Sequence, residues 1–225
     1  SNRTGIRLNG PTPEWAREDG GEAGLHPSNI HDSAYVFGAM DFTGDMPVIL
    51  GPDGPSLGGF VCPAVVINAD RWKLGQLVPG DEVQLQLVDQ HQATEISEAQ
   101  AQWLEDARQK LVVVPSLSRV KESAAARIVL YQANDVKIRQ AGQEWVLLEF
   151  GEAIIDVGAR VLIGDFAKIV IDSGLPGVVE MIPGVRSLLL RFETQRWTHD
   201  TMVRALEPLL EQARTNSSST VPSRI

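Results

Sequence analysis

The sequence predicts a β-rich α+β protein made of two units. Glycine and proline are concentrated in the first 60 residues, where they interrupt helices and leave short strands between turns. Later in the chain, a few segments with apolar residues at helical spacing lie among short apolar runs bounded by turn residues. Strands grouped with a few helices in this way are typical of an α+β fold.

The composition describes a folded chain with an acidic surface. The 225 residues are 43% hydrophobic and 22% charged, which suffices for one large domain or two small ones. The 20 Lys+Arg and 29 Asp+Glu give a formal charge of -9, so we expect neither nucleic acid nor a membrane as a partner. Cys62 has no second cysteine to pair with and no signal-peptide pattern opens the chain, so we expect a reducing compartment, the cytoplasm.

Short strands are expected in the first unit. Residues 45–50 follow a turn, and the β-branched run over 59–68 is typical of one strand covered on both faces. Val83, Leu85 and Leu87 alternate with polar residues, which predicts a further strand over 82–88.

A helix should close this unit. Ser97 and Gln100 have the spacing of a capping box, and the apolar stripe that follows predicts an amphipathic helix from Ser97 to about Leu111. The stripe consists of Ile96, Ala99, Trp103, Ala107 and Leu111. Residues 112–126 lose all periodicity, so we interpret them as a linker.

The second unit should be an α+β sandwich. We predict a strand at 127–132, a hairpin turn at 134–135 and a strand at 145–150, followed by a helix over about 154–173. A strand pair at 178–182 and 187–192 and a last helix from Thr198 should complete it. We therefore expect units at 1–111 and 127–214, the linker at 112–126, and a second polar linker at 215–225 that leads into a longer polypeptide.

One polar segment of the first unit is a candidate for chemistry. Asn29, His31, Asp32 and Tyr35 bring an amide, an imidazole, a carboxylate and a phenol together in a glycine-rich region predicted to be a loop. Such groups suit proton transfer and hydrogen bonding to a small polar substrate. The alternative is a turn in which Asn29 and Asp32 accept from backbone donors. No standard metal-ligand spacing is present, so no metal site is expected.

Other polar residues allow two interpretations each. Asp41 and Asp45 could orient an amide substrate or cap a turn, and they lack the ligand pattern of a calcium loop. Cys62 lies in an apolar run, which predicts a buried, inert thiol. Three arginines in apolar stretches need either an ion-pair partner or a carboxylate ligand: Arg7, Arg160 and Arg186.

Specific motifs take the interpretation further. They are GIRLNGP (5–11), GLHPSNIHD (24–32), DFTGDMP (41–47), GPDGPSLGGF (51–60), WKLGQLVPGD (72–81), EFGE (149–152) and PGVRSL (183–188). With these motifs the chain resembles the carboxyltransferase region of the urea carboxylase family, with a broader kinship to the paired subunits of bacterial 5-oxoprolinase. In the second unit, Glu193 stands where the family usually has Asp, and 161–165 lacks an expected second basic residue.

The resemblance implies a fold and a reaction. The first unit would be the later half of a cyclophilin-like β-barrel module, and the second the α+β start of the partner carboxyltransferase module, so both barrels are cut. The family, a group of biotin-dependent ligases, moves a carboxyl group from carboxybiotin to a urea nitrogen and forms allophanate. Biotin would be carried on another domain, and ATP would be used only at a separate biotin carboxylase domain. These domains, and the rest of both modules, would lie on the same chain, and the piece alone would be inactive.

The resemblance also implies roles for the candidate residues. His31 would transfer a proton, and Asp32, Asp41 or Asp45 would accept hydrogen bonds from urea. Asn29 and Tyr35 would donate to carbonyl oxygens, and Arg7 or Lys73 would stabilise a carboxylate or the biotin enolate. Two alternatives stay open: a 5-oxoprolinase-type enzyme acting on another amide, and a non-catalytic interaction module that keeps the fold.

Overall fold

Antiparallel sheets form most of both units. The computed structural model describes residues 3–18, 20–109 and 129–216. The first unit contains β1 (Gly5–Arg7), β2 (Asn29–Ala34), β3 (Ala39–Thr43), β4 (Met46–Leu50), β5 (Leu57–Phe60), β6 (Ala64–Val65), a 3-10 turn (Asn68–Asp70), α1 (Arg71–Leu74) and α2 (Gln90–Arg108). The second contains β7 (Val129–Ala133), β8 (Val136–Gln140), β9 (Trp145–Phe150), α3 (Val157–Ser173), β10 (Val178–Pro183), β11 (Ser187–Phe192) and α4 (His199–Asn216). The predicted linkers, 112–126 and all but the first two residues of 215–225, lie outside the described residues.

The first unit has two separate sheets. One has the strand order β1-β4-β3-β6, and the other pairs β2 with β5. The β3–β4 hairpin turns at Gly44, whose φ of 66° is readily adopted by glycine. The strands described here do not close into a barrel.

Two strand predictions for this unit are wrong. The run over 59–68 is split, because β5 ends at Phe60 and Pro63, which has no N–H to donate, precedes β6. Residues 82–88 form no strand within the described chain. The side chain of Leu85 is 54% exposed, and Val83 and Leu87 are exposed as well. Alternation provides an apolar face, but a strand also needs a neighbour to accept its backbone hydrogen bonds.

Helix α2 is present, but its start and its buried face differ from prediction. It begins at Gln90, where the Asp89 carboxylate accepts from Gln92 N (2.8 Å) and the Gln92 side chain accepts from Asp89 N (3.0 Å). This capping box replaces the predicted one at Ser97, whose hydroxyl instead donates to Ala93 O inside the helix (2.9 Å). Most of the predicted apolar stripe is exposed: Ala99, Trp103 and Ala107. The small Ala93 is the buried residue of this helix.

The second unit confirms the predicted sandwich. Its five strands form an antiparallel sheet in the order β10-β11-β9-β8-β7, and α3 and α4 pack together on one face. Alternate residues of β11 point in opposite directions. Leu188, Leu190 and Phe192 join the core beneath the helices, while Leu189 packs against the first unit. Strand β11 is therefore buried on both faces.

The two units share a second hydrophobic core, which we call the seam. Ala34, Tyr35 and Leu50 of the first unit pack with Trp145 and Leu189 of the second. Burial of this apolar surface holds the sheet of the sandwich against the first unit. In the described part of the chain, no helix is both long and apolar enough to cross a membrane.

Two glycines of α3 offer a test of the helix itself. Gly174 ends the helix with a left-handed φ of 61°, whereas Gly164 lies in the exposed helix interior with no atom closer than 3.9 Å to an added Cβ. We expect Gly174→Ala to destabilise the protein by about 1 kcal/mol, because alanine strains that backbone. Gly164→Ala should stabilise it by about 0.5 to 1 kcal/mol through helix propensity. Chemical denaturation measures both, and equal signs for the two changes would contradict this account.

Candidate functional site

Asp32 reaches from β2 across the seam into the second unit. Its side chain is buried, and Oδ2 accepts hydrogen bonds from Ser187 Oγ (2.7 Å), Val185 N (3.1 Å) and Arg186 N (3.4 Å). Val185 and Arg186 lie in the turn between β10 and β11, and Ser187 is the first residue of β11. The segment predicted to be a loop is a strand, and Asp32 bonds to a distant turn rather than to backbone nearby.

Next to this contact lies a partly buried group of charges, the seam charge cluster: Glu22, Arg139, Glu149 and Arg186. Arg186 is 6% exposed, and its Nη2 lies 3.4 Å from Glu149 Oε1 and 3.8 Å from Glu22 Oε2. Arg139 Nε donates to the other Glu149 oxygen (2.5 Å). Arg186 therefore has the ion-pair partner that its apolar surroundings require, whereas Arg7 and Arg160 are exposed.

The interior of the first unit holds two more predicted residues. The Tyr35 hydroxyl donates to Phe60 O (2.9 Å) and accepts from Phe60 N (2.7 Å), and burial raises the pKa of this phenol. Asp41 is buried in β3, where desolvation raises the pKa of its carboxyl and a Thr43 hydrogen bond opposes this effect. Asp41 Oδ1 has no hydrogen-bond partner among the described residues. Cys62 is half-buried between β5 and β6 rather than fully buried in a strand as predicted, and desolvation raises the pKa of its thiol to about 12.

Asp45 belongs to a different, outer group. Its Oδ1 accepts from Trp15 Nε1 (2.8 Å) and lies 3.5 Å from His26 Nε2. The His26 ring also stacks edge-on against Trp15, and its Nδ1 accepts from Ser28 N (3.1 Å). These contacts fasten the glycine-rich segment that precedes β2 to the β3–β4 turn.

The remaining predicted residues occupy separate places. Asn29 Nδ2 donates to Gly24 O (2.7 Å), which closes the turn before β2. His31 is half-buried on β2, next to Asp32 in the sequence. Arg7 is exposed at the end of β1, and Lys73 is exposed on α1, where it pairs with Asp70 (2.6 Å). The structure thus brings Tyr35, Asp41 and Asp32 near one another and leaves the others apart.

Several polar residues that connect the units were missed by sequence reasoning. Gln143 accepts from Asn68 N (2.6 Å) and donates to Ala93 O (3.0 Å), so the β8–β9 turn is tied to the first unit. Glu22 lies in a glycine-rich phrase that suggested only a turn, and Glu149 lay within a recognised motif with no role attached. No local signal marks such residues, because their partners are distant in sequence.

The hydrogen-bonding atoms of the seam charge cluster are not open to a biotin ring. A ureido group needs both a donor and an acceptor, and two atoms of the seam charge cluster that lack a hydrogen-bond partner, Arg186 Nε and Glu22 Oε2, are of these types. Both atoms are fully buried, however, so no space remains beside them. Cavities of about 250 and 660 Å³ lie on the second unit, and none of the predicted site residues lines either one. The described part of the chain also holds no group of His, Cys, Asp and Glu suited to a metal ion.

Comparison with known proteins gives the family. Residues 1–87 match the family model "Carboxyltransferase domain, subdomain A and B", and 136–225 match "Carboxyltransferase domain, subdomain C and D". The chain is 38% identical over its full length to the urea amidolyase of Lachancea kluyveri, and 40% identical over 92% of its length to that of Saccharomyces cerevisiae.

A solved structure is also similar. The crystal structure of the Kluyveromyces lactis urea carboxylase superposes with a TM-score of 0.82 at 41% identity over 95% of the chain. The chain spans only 13% and 12% of the two urea amidolyases and 19% of that structure. With both family models matched in order along most of its length, the chain belongs to the carboxyltransferase domain family, with subdomains A and B ahead of C and D.

Proposed function

We propose that this chain is part of the carboxyltransferase of a biotin-dependent urea carboxylase, a ligase that moves a carboxyl group from carboxybiotin to urea and forms allophanate. The observation that carries the proposal is the match of both halves of one chain to the paired carboxyltransferase subdomain models. The similarity to a solved urea carboxylase supports urea as the acceptor.

The rest of the enzyme must come from outside this chain. Because the chain spans less than a fifth of its relatives, we propose that biotin carboxylase and biotin carrier domains lie on the same polypeptide. ATP would be used only at the biotin carboxylase domain, and the enzyme would act in the cytoplasm. The packed seam supports a biotin site that is completed by residues outside this chain, so the chain alone would be inactive. We propose that the two carboxyltransferase parts span residues 1–111 and 127–214.

Among the predicted site residues, His31 is the one we propose for proton transfer. Urea nitrogen is a weak nucleophile, so a positioned base beside it would assist its attack. His31 is half-buried on β2, and a position on a strand would hold its ring in place. Arg7 and Lys73 are exposed and could meet a carboxylate, and Asp45 lies near the surface. The side chains of Asn29, Tyr35 and Asp32 already bond within the chain, and we propose that they support the site from there.

Substrate tests on the full-length biotinylated polypeptide decide the function. We expect ATP cleavage with bicarbonate to become urea-dependent, with one allophanate formed per ADP, and avidin to abolish it. Turnover with 5-oxoproline in place of urea would contradict the proposal and indicate the 5-oxoprolinase-type alternative. Inactivity with both compounds, despite an active biotin carboxylase domain, would indicate a non-catalytic module.

Two histidines of this chain make a matched pair for the proposed proton transfer. We expect His31→Ala to lower kcat for urea carboxylation by about 100-fold, the usual scale for loss of a general base. His91→Ala is the control, because that side chain is 81% exposed on α2 and pairs only with Glu95 at 3.6 Å among the described ion pairs. Steady-state kinetics on the full-length enzyme measure both. Equal activities of the two variants would remove His31 from the mechanism.

A further inference from the structure

We propose that Asp32 is a positioning residue, which locks the second unit's 184–187 turn onto β2 and so sets how the two units meet in the active carboxyltransferase. This inference rests on the proposed function and deepens it. The alternative is that Asp32 contacts urea directly. The contacts of three residues in the turn distinguish the two roles.

The first observation is the number of hydrogen bonds that one oxygen of the Asp32 carboxylate accepts. One carboxylate oxygen, Oδ2, accepts from Ser187 Oγ, Val185 N and Arg186 N at 2.7, 3.1 and 3.4 Å. A carboxylate oxygen has two lone pairs, so Oδ2 is saturated by the turn. The side chain is also buried among residues of both units. Its geometry is that of a carboxylate that organises a distant backbone segment.

The second observation is independent and comes from Gly184. A Cβ at this residue would lie 2.4 Å from Asp32 Oδ2 and 2.6 Å from Ser187 Oγ, far inside contact distance. Gly184 N also donates to Ser187 O (2.7 Å), which closes the turn on itself. The turn therefore admits the carboxylate only because residue 184 has no side chain.

The third observation is what the turn carries. Arg186, whose backbone N–H donates to Asp32, extends its guanidinium to Glu149 of its own unit and toward Glu22 of the first unit. The turn leads directly into β11, which packs into the seam through Leu189. A shift of the turn would thus move Arg186 and β11 relative to β2, the strand that carries His31. A displacement of this kind affects catalysis without any contact to substrate.

The test compares variants on both sides of the contact in the full-length biotinylated enzyme. We expect Asp32→Asn and Gly184→Ala to lower kcat per folded molecule about 10-fold to 100-fold, the scale for misplacement by about 1 Å. Ser187→Ala, the mildest change, should lower kcat by about threefold, the order of one lost hydrogen bond. The KM for urea should change by less than about twofold in all three, because the lost contact is not to substrate. Bicarbonate-dependent ATP cleavage at the biotin carboxylase domain should not change.

Coupling between the variants gives the second readout. The double variant Asp32→Asn with Ser187→Ala should be no slower than Asp32→Asn alone, because both remove one contact. Matched controls are Gly164→Ala and Asp172→Asn on α3, which should resemble the unmodified enzyme. A rise in the KM for urea with Asp32→Asn, while Ser187→Ala and Gly184→Ala behave as unmodified enzyme, would overturn the proposal and assign Asp32 to substrate.

Hydrogen exchange separates failure of this inference from failure of the proposed function. The amides of Val185 and Arg186 donate to Asp32, so they should exchange faster in Asp32→Asn and in Gly184→Ala than in the controls. This readout needs no substrate, so it tests the contact even if the enzyme does not carboxylate urea. Unchanged exchange of both amides in the folded variants would overturn the proposal.

Discussion

Phe166→Ala should lower the free energy of unfolding by about 3 to 5 kcal/mol, the usual cost of emptying a buried phenylalanine site. Phe166 lies on α3 with no exposed surface, and its ring is 6.1 Å from that of Phe150 on the sheet. Removing it leaves a cavity between helix and sheet that the closely packed core around it cannot readily collapse to fill. Chemical denaturation followed by circular dichroism measures the change from the transition midpoint.

The matched control for this prediction lies on the same helix. Ile171 is 67% exposed, so Ile171→Ala also removes a large apolar side chain from α3 but leaves no buried cavity. We expect its effect to stay within about 0.5 kcal/mol. A loss of similar size in both variants would show that α3 is destabilised as a helix rather than through its packing.

Arg186→Ala should be destabilising on a similar scale, by about 3 to 5 kcal/mol, because it breaks a buried ion pair from one side. Among the ion pairs of the described residues, Glu149 would retain the one with Arg139, and Glu22 would lose the one with Arg186. A carboxylate that is mostly removed from water costs more free energy when it loses a cation than a solvated one does. Thermal and chemical denaturation of the purified protein measure the loss.

Arg196→Ala is the control for the charge itself. Arg196 is an exposed arginine that pairs with exposed Glu193 at 3.7 Å. Solvent screens such a pair, so its loss should cost less than about 1 kcal/mol. Adding Glu22→Gln to Arg186→Ala should recover part of the stability, since it removes one of the stranded charges. No recovery would mean that Arg186 stabilises the seam mainly through its packing.

The second unit shows where sequence reasoning works. Strand β9, helix α3 and strand β11 lie close to the positions predicted for them. Their signals are local: apolar periodicity sets the element, and Gly174 or the Pro183-Gly184 pair ends it. These three elements are also rich in apolar residues, which determines which of their faces is buried.

The first unit shows where such reasoning fails. Residues 82–88 have the alternation of a strand, yet they form no strand in the described chain. Helix α2 begins at Gln90 because Asp89 and Gln92 form a capping box around its first turn, whereas the Ser97 hydroxyl bonds inside the helix. Pattern alone cannot distinguish between caps or supply a partner strand.

The candidate site likewise has features that the sequence predicts and features that depend on the tertiary structure. Motifs along the chain determined the carboxyltransferase family, and the residue types in the 28–35 segment pointed to polar chemistry there. Only the tertiary structure decided that Asp32 bonds to Ser187, 155 residues away, and that Arg186 joins Glu149 and Glu22 in one partly buried cluster. Local patterns reflect propensities within a few residues, whereas such partners are chosen by how two folded units pack, so their positions exist only once the chain is folded.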